Sequence, residues 1–213
     1  EKIALHLKNA NVPIIEGPMR KLGAMSPILS LYIHDPDKNV VEISNEVSSD
    51  YFIESDQSPF YHLPILETAR LILRPVSPAD VDDIFEYAHD REVTKFTSWE
   101  NHKSKEETKL YVDYVISRYE KGEASPWAIE HKESKKVIGT AGMSHWKLKT
   151  SAATMGYALS KDFWNQGLMT EAVKAIIQFG FEQMDLNRIQ AYCDIENDAS
   201  SRVMEKSGMS FEG

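Results

Sequence analysis

Cysteine is nearly absent: Cys193 is the single one in 213 residues. That excludes a disulfide framework within the chain and a cysteine-based zinc cluster. Cys193 lies in an alternating apolar run, so the expectation is a buried structural thiol rather than a nucleophile. Long apolar runs are missing too. No segment reads as a membrane span, no signal-peptide pattern is visible, and the expected compartment is cytoplasmic with no membrane partner. Positive charge is scarce: 24 Lys and Arg stand against 33 Asp and Glu, a formal net charge of −9. Binders of duplex nucleic acid usually carry a basic face, so no nucleic-acid partner is expected. Two phosphate fingerprints are also absent, Gly-x-x-x-x-Gly-Lys-Ser/Thr and Gly-x-Gly-x-x-Gly. A nucleotide hydrolase and a Rossmann dehydrogenase are thereby disfavoured.

With 42% hydrophobic and 27% charged residues, the composition suits a globular protein with one good core, or one core plus a smaller piece. Glu1 falls inside a helix-like stretch, and the last residues, "GMSFEG", read as the start of a strand. The expectation is a fragment trimmed at both ends, with its last strands missing.

An acidic, Ser-rich connector without periodicity divides the chain. The expected boundaries are a partial N-terminal piece over 1–46, a linker over 47–60 and a larger domain over 61–213. In the first piece, Ile3, Leu5, Leu7 and Val12 suggest a short helix. "VPIIEGP" suggests a strand ending at Gly17-Pro18. "SPILSLYIHDPDKNVVEIS" suggests a hairpin whose turn chemistry lies at Asp35-Pro36-Asp37-Lys38-Asn39. A helix and three strands make too small a core to fold well alone. The phrase "YIHDPDKNVVEIS" resembles the closing hairpin of a vicinal-oxygen-chelate (glyoxalase-like) module. The resemblance implies a metal-ligand role for Glu42, and His6 and His34 would be its nearest imidazole candidates. Only about half of one module is present, so this piece is read as a remnant without metal activity, and no metal is expected.

In the larger piece Leu71 and Leu73 alternate with polar residues, predicting a strand that ends at Pro75. Ser77-Pro78-Ala79-Asp80 has the Ser, Pro and delayed acid of a helix start. Ser104 and Glu107 repeat that signal, and the helix they open shows Leu110, Tyr111, Tyr114, Val115 and Tyr119 as its apolar stripe. "PWAIEH", "KVIGTAGMSHW" and "ATMGYALS" read as three strands. "NRIQAYCDI" reads as another, with Ile189, Ala191, Cys193 and Ile195 on one face. The predicted class is α/β (α+β), a mixed, mostly antiparallel sheet flanked by helices.

The stretch "MGYALSKDFWNQGLMTEAVKAIIQFGFEQM" runs from a strand through Gly167 into an amphipathic helix. Its apolar face is predicted at Met169, Ala172, Val173, Ile176, Ile177, Phe181 and Met184. A helix mouth offers orphan amides and the positive end of the macrodipole, and Gly167 removes the side chain that would block an anion. From these residues alone, a phosphate seat and a plain tight turn stand as equal readings.

"LETARLILRP", "VIGTAGM", "MGYALSKDFWNQGLMTEAV" and "NDASSRVMEKSGMSFEG", in that order from about Leu66 to the end, resemble the GNAT N-acetyltransferases. Within them the pattern is similar to the branch that acetylates ribosomal-protein N-termini. The resemblance implies acetyl-CoA as co-substrate. Its pyrophosphate would rest on the turn and helix mouth formed by Asn165, Gln166, Gly167, Leu168, Met169 and Thr170. Trp164 and Met169 depart from the family's usual outer positions in this turn. The pantetheine arm would lie along Tyr157, Ala158 and Leu159, with Asn197 holding one of its amides. Many relatives place an acidic Tyr seven residues after that Asn, where this chain has Met204. Ser200 matches the Ser that replaces it in the ribosomal branch. Glu130 is the candidate base, with His145 behind it, and Phe96 and Trp99 are candidates to line the acceptor pocket.

Three functions are weighed. The first is transfer of an acetyl group from acetyl-CoA to a primary amine, on a protein N-terminus or a small molecule, by direct attack in a ternary complex. The second is a non-catalytic acyl-CoA sensor, and the third a metal-dependent glyoxalase-like enzyme built on the N-terminal piece. A homodimer is among the expected assemblies, because open strand edges would seek partners.

Overall fold

The computed structural model describes residues 7, 10, 12–22, 27–34, 37–46, 58–147 and 150–213. The chain divides into two compact units, Glu1–Gln57 and Ser58–Gly213. The helix expected at residues 3–12 falls almost wholly outside the described residues, as do His6 and the connector over 47–57.

The first unit contains one antiparallel sheet of order β1-β2-β3, built from β1 (Ile14–Leu22), β2 (Pro27–His34) and β3 (Val40–Glu46). β1 does not stop at Gly17-Pro18. Its register with β2 shifts between Ile14 and Glu16 and again between Glu16 and Met19. An edge strand tolerates Pro at such an irregularity, because the missing N–H need not serve a ladder bond there.

The second unit is built on a six-stranded sheet: β4 (Leu66–Glu67), β5 (Leu71–Pro75), β6 (Pro126–His131), β7 (Val137–Lys147), β8 (Ala152–Leu159) and β9 (Arg188–Ala191). The strands lie in chain order, antiparallel from β4 to β8, and β9 joins β8 in parallel. A parallel pair needs a crossover. Helix α4 (Leu168–Glu182) supplies it. Ahead of it in the chain come α1 (Val81–Ala88), the single turn α2 (Arg91–Thr94) and α3 (Lys105–Tyr119); α5 (Asp198–Lys206) follows.

Alternation along the strands sorts the core into two layers. On β6, Trp127 and Ile129 pack with Leu71, Leu73, Phe60 and the inner face of α4, while Ala128 packs with Val76, Ile84, Val112 and Val115 on the side of α1 and α3. Ser58 and Phe60 are buried in this unit, so its packing begins before residue 61, where the sequence reading starts the domain.

The helix α3 turns differently from expectation, whereas α4 buries Met169, Ala172, Val173 and Ile176 as expected and departs at Phe181. In α3 the buried residues are Thr108, Val112 and Val115, and Leu110 and Tyr114 face water. In α4, Phe179 is buried and Phe181 exposed. The spacing 172, 176, 179 keeps one face of the helix turned inward, and Phe181 falls off that face.

Candidate active site

β8 and β9 are paired only from Ala152–Arg188 to Met155–Ala191. Beyond that point β8 continues to Leu159 beside β7 alone, so the parallel pair opens into a gap. Backbone directions along the gap follow from the ladder. Ser160 N donates to Ile138 O at 2.7 Å. Hydrogen-bonded pairs alternate in an antiparallel ladder, so Ala158 and Gly156 face β7 while Tyr157 and Leu159 face the open side. Of the three residues expected along the co-substrate arm, Tyr157 and Leu159 present backbone groups and Ala158 does not. The Leu159 carbonyl accepts the Trp164 indole N–H at 2.8 Å, which ties the following turn to the end of β8.

That turn contains two left-handed residues, Asn165 at φ 58° and Gly167 at φ 75°. Asn tolerates this region through its short polar side chain, and Gly carries no Cβ penalty there. Gly167 is the N-cap of α4. Glu171 N closes the first helical bond on Gly167 O at 3.1 Å. The amides of Leu168, Met169 and Thr170 therefore have no intrahelical acceptor. They point out of a 15-residue helix at its positive end. Arg70 braces the turn from the β4–β5 connection, donating from Nη1 to Gln166 O at 2.9 Å.

Two other expected site residues, Asn197 and Ser200, come together at the start of α5 opposite Tyr157. Asn197 caps α5, its Oδ1 accepting from Ser200 N at 3.1 Å. Its amide nitrogen is not used by that cap. The Ser200 hydroxyl lies 2.8 Å from the Tyr157 phenol oxygen. The same phenol donates to Ser200 O at 3.1 Å. Burial raises the Tyr157 pKa, the Ser200 hydrogen bond lowers it, and the nearby Cys193 thiol raises it again. Sequence reasoning used Tyr157 for its backbone and missed its phenol. Its position in β8 facing the first turn of α5 is a tertiary fact that no local pattern carries.

Cys193 is exposed, against the expectation of a buried thiol. The physical reason is the short pairing of β9. The strand ends at Ala191, and Tyr192 and Ile195 stand 76% and 95% exposed. Glu130 stands two strands away from β8, its carboxylate bound to Arg74 Nε at 2.8 Å. Arg74 also forks onto buried Asp80 at 2.9 and 2.8 Å. Hydrogen bonding to Asp80 outweighs burial and raises the Arg74 pKa further, so the guanidinium stays charged and holds the Glu130 carboxylate in an ion pair. His145 is exposed beside Ser144, at φ 49°. Phe96 is half-buried with Lys95 4.7 Å from its ring centre, and Trp99 packs against His102. In the first unit the Glu42 backbone pairs with Tyr32 across β2–β3. His34 is exposed, 3.1 Å from Lys38 O. Among the described residues no group of three or more His, Cys, Asp or Glu is placed to hold a metal ion.

The site is thus a mixed sheet whose two parallel strands part beyond Met155, with a glycine-opened helix mouth at one end of the parting. The family profile for the acetyltransferase (GNAT) domain matches residues 70–210. The N-acetyltransferase YoaA of Bacillus subtilis is 33% identical over 150 residues, 70% of this chain and 85% of that relative. A GNAT acetyltransferase structure from Bacillus anthracis superposes with a TM-score of 0.63 at 27% identity, covering 70% of this chain and 86% of that one. The ribosomal α-N-protein acetyltransferase RimL, solved with coenzyme A, shares the fold at a TM-score of 0.64 and 23% identity, covering 70% and 86%. The chain belongs to the GNAT acetyltransferase family, and that membership implies acyl-CoA-dependent acetyl transfer. A separate, shorter similarity concerns the glyoxalase domain-containing protein RDO1 of Mycosarcoma maydis, 45% identical over 40 residues, 19% of this chain and 23% of that protein.

Proposed function

We propose that the Ser58–Gly213 unit transfers the acetyl group of acetyl-CoA to a primary amine by direct attack in a ternary complex. The observation that carries this reading is the β8–β9 gap with the Gly167 turn at its end. The pyrophosphate is assigned to the amides of residues 167–170, where no side chain of Gly167 intervenes and the macrodipole favours an anion. The pantetheine arm is peptide-like, and it adds to the open side of β8 as a strand would, on the backbone of Tyr157 and Leu159. The Asn197 side-chain amide nitrogen, which the α5 cap does not use, is assigned to hold its second amide. RimL and the acetyltransferase MccE have been solved with coenzyme A and acetyl-CoA respectively, which supports the same co-substrate for this chain.

The chemistry requires a neutral amine, a polarised thioester carbonyl and a proton for the departing thiolate. Ser200 is assigned as the proton donor, held in position by the Tyr157 phenol. Position 204, where many relatives carry the acidic Tyr, is Met. The Arg74 ion pair leaves Glu130 a supporting part in the sheet. The acceptor class includes ribosomal-protein N-termini, as RimL's name suggests, and small-molecule amines.

Incubation with acetyl-CoA and an amine panel, read by mass spectrometry of the acetylated acceptor, tests the proposal. Tight CoA binding with no acetylated product across peptides, amino acids, polyamines and aminoglycosides would favour the sensor reading instead.

A further inference from the structure

The α4 mouth holds a charge that its proposed role does not call for. Glu171 sits in the first turn of α4, beside the amides assigned to the pyrophosphate. An acidic side chain there satisfies the macrodipole but competes with a bound anion for the same field. Glu171 does not stand alone. Its Oε1 accepts from Thr68 Oγ1 at 2.6 Å and from Arg70 N at 2.8 Å. Its Oε2 accepts from Arg70 Nε at 2.8 Å and lies 2.7 Å from Arg70 Nη2. Burial raises the Glu171 pKa, but the Thr68 and Arg70 hydrogen bonds outweigh that and hold it below the ordinary carboxylate value.

The same guanidinium reaches the turn. Nη1 donates to Gln166 O at 2.9 Å, and Nη2 lies 3.7 Å from where a Cβ on Gly167 would stand. The Arg70 side chain is 46% exposed, so solvent reaches its charge beside the turn. Thr68 and Arg70 both belong to the short connection between β4 and β5.

We propose that Arg70 is a positioning residue of the co-substrate site, clamping the Gln166–Gly167 turn and cancelling the Glu171 charge, so that the α4 amides meet the CoA pyrophosphate without a competing carboxylate. This rests on the reading of the α4 mouth as the pyrophosphate seat. The clamp and the charge role separate cleanly by substitution. Arg70→Gln and Glu171→Gln both break the ion pair, and the first also removes the Nη1 bond to Gln166 O, so the double variant set against Glu171→Gln reads the clamp alone. Their electrostatic effects have opposite signs, because the first leaves a free anion beside the phosphate and the second a free cation.

The test is calorimetric titration of CoA into the full chain, wild type against Arg70→Gln, Glu171→Gln and the double variant, at two salt concentrations with melting temperatures alongside. Arg70→Gln should weaken CoA binding by about tenfold or more, and Glu171→Gln should stay within about threefold of wild type or bind more tightly. The double variant should lie nearer wild type than Arg70→Gln does, and added salt should narrow the gap between the single variants. Equal weakening by both single variants, in step with their loss of melting temperature, would make the cluster merely structural and overturn the proposal. Unchanged affinity in Arg70→Gln would do the same. Should Arg70→Gln not fold, Glu171→Gln alone decides, and weakening beyond about threefold overturns the charge argument. The underlying reading fails separately, if wild type gives no CoA binding or Gly167→Asp binds as wild type does.

Discussion

Gly167 takes φ 75° at the mouth of α4, and a Cβ there would meet nothing closer than Arg70 Nη2 at 3.7 Å. Gly167→Asp should therefore fold, at a cost of about 1 kcal/mol for the left-handed backbone. Its carboxylate would stand against the pyrophosphate, and CoA affinity should fall by roughly a hundredfold in a calorimetric titration. At Ser200 the roles divide. The backbone N–H takes the Asn197 cap whatever the side chain, so Ser200→Ala should keep the helix start and the affinity for acetyl-CoA. Turnover should drop by roughly a hundredfold if the hydroxyl donates the proton. Tyr157→Phe should lower kcat in the same direction but less; equal turnover in both variants and wild type would move the donor elsewhere. Cys193 offers a direct probe of the gap. It is exposed, is the chain's one cysteine, and influences Tyr157. Saturating CoA should slow its alkylation by iodoacetamide, measured by intact mass, and an unchanged rate would place the arm away from Tyr157.

The elements most legible in the sequence are those with a local chemical mark. The Ser77–Asp80 start is one, with Asp80 Oδ2 accepting from Ser77 N at 2.7 Å, and the Gly167-opened helix is another. Less legible is which way an aromatic-rich helix turns. In α3, Tyr114 faces outward and bonds to Arg118, while Thr108, a polar residue, is fully buried with its hydroxyl 2.8 Å from His102 Nδ1. Hydrophobicity alone cannot rank a tyrosine that solvates its tip against a threonine that finds a buried partner. The end of β9 is hard to read for a related reason: alternation at Cys193 and Ile195 suggests a strand, but a strand needs a neighbour to pair with, and the pairing of β8 with β9 stops at Ala191. Glu130 looked free in sequence because Arg74 is 56 residues away. Glu130→Gln should lower stability by about 1–3 kcal/mol through loss of a charged hydrogen bond, while turnover changes less than in Ser200→Ala. The β4–β5 connection and α4 are also linked by charge. The Glu171 pKa is lower folded than unfolded, so its contribution is complete above the ordinary carboxylate value and is lost as pH falls through the folded value. Melting temperature should fall more steeply below about pH 4.5 in wild type than in Glu171→Gln.

At the scale of the whole molecule the site draws every proposed residue from one unit. Arg70, Tyr157, Gly167, Asn197 and Ser200 all lie within Ser58–Gly213. Residues 58–213 expressed alone should bind CoA as the full chain does, and a large loss would bring the first unit into the site. Glu42 lies in the first unit, and a metal role for it would show as bound divalent ion after purification of the full chain. Everything proposed for the site depends on where the co-substrate lies. A crystal structure with acetyl-CoA bound measures that directly. The pyrophosphate should lie on the amides of residues 167–170, and the pantetheine arm should hydrogen-bond to the backbone of Tyr157 and Leu159 with its thioester near Ser200. Acetyl-CoA bound elsewhere, with the β8–β9 gap empty, would contradict this placement.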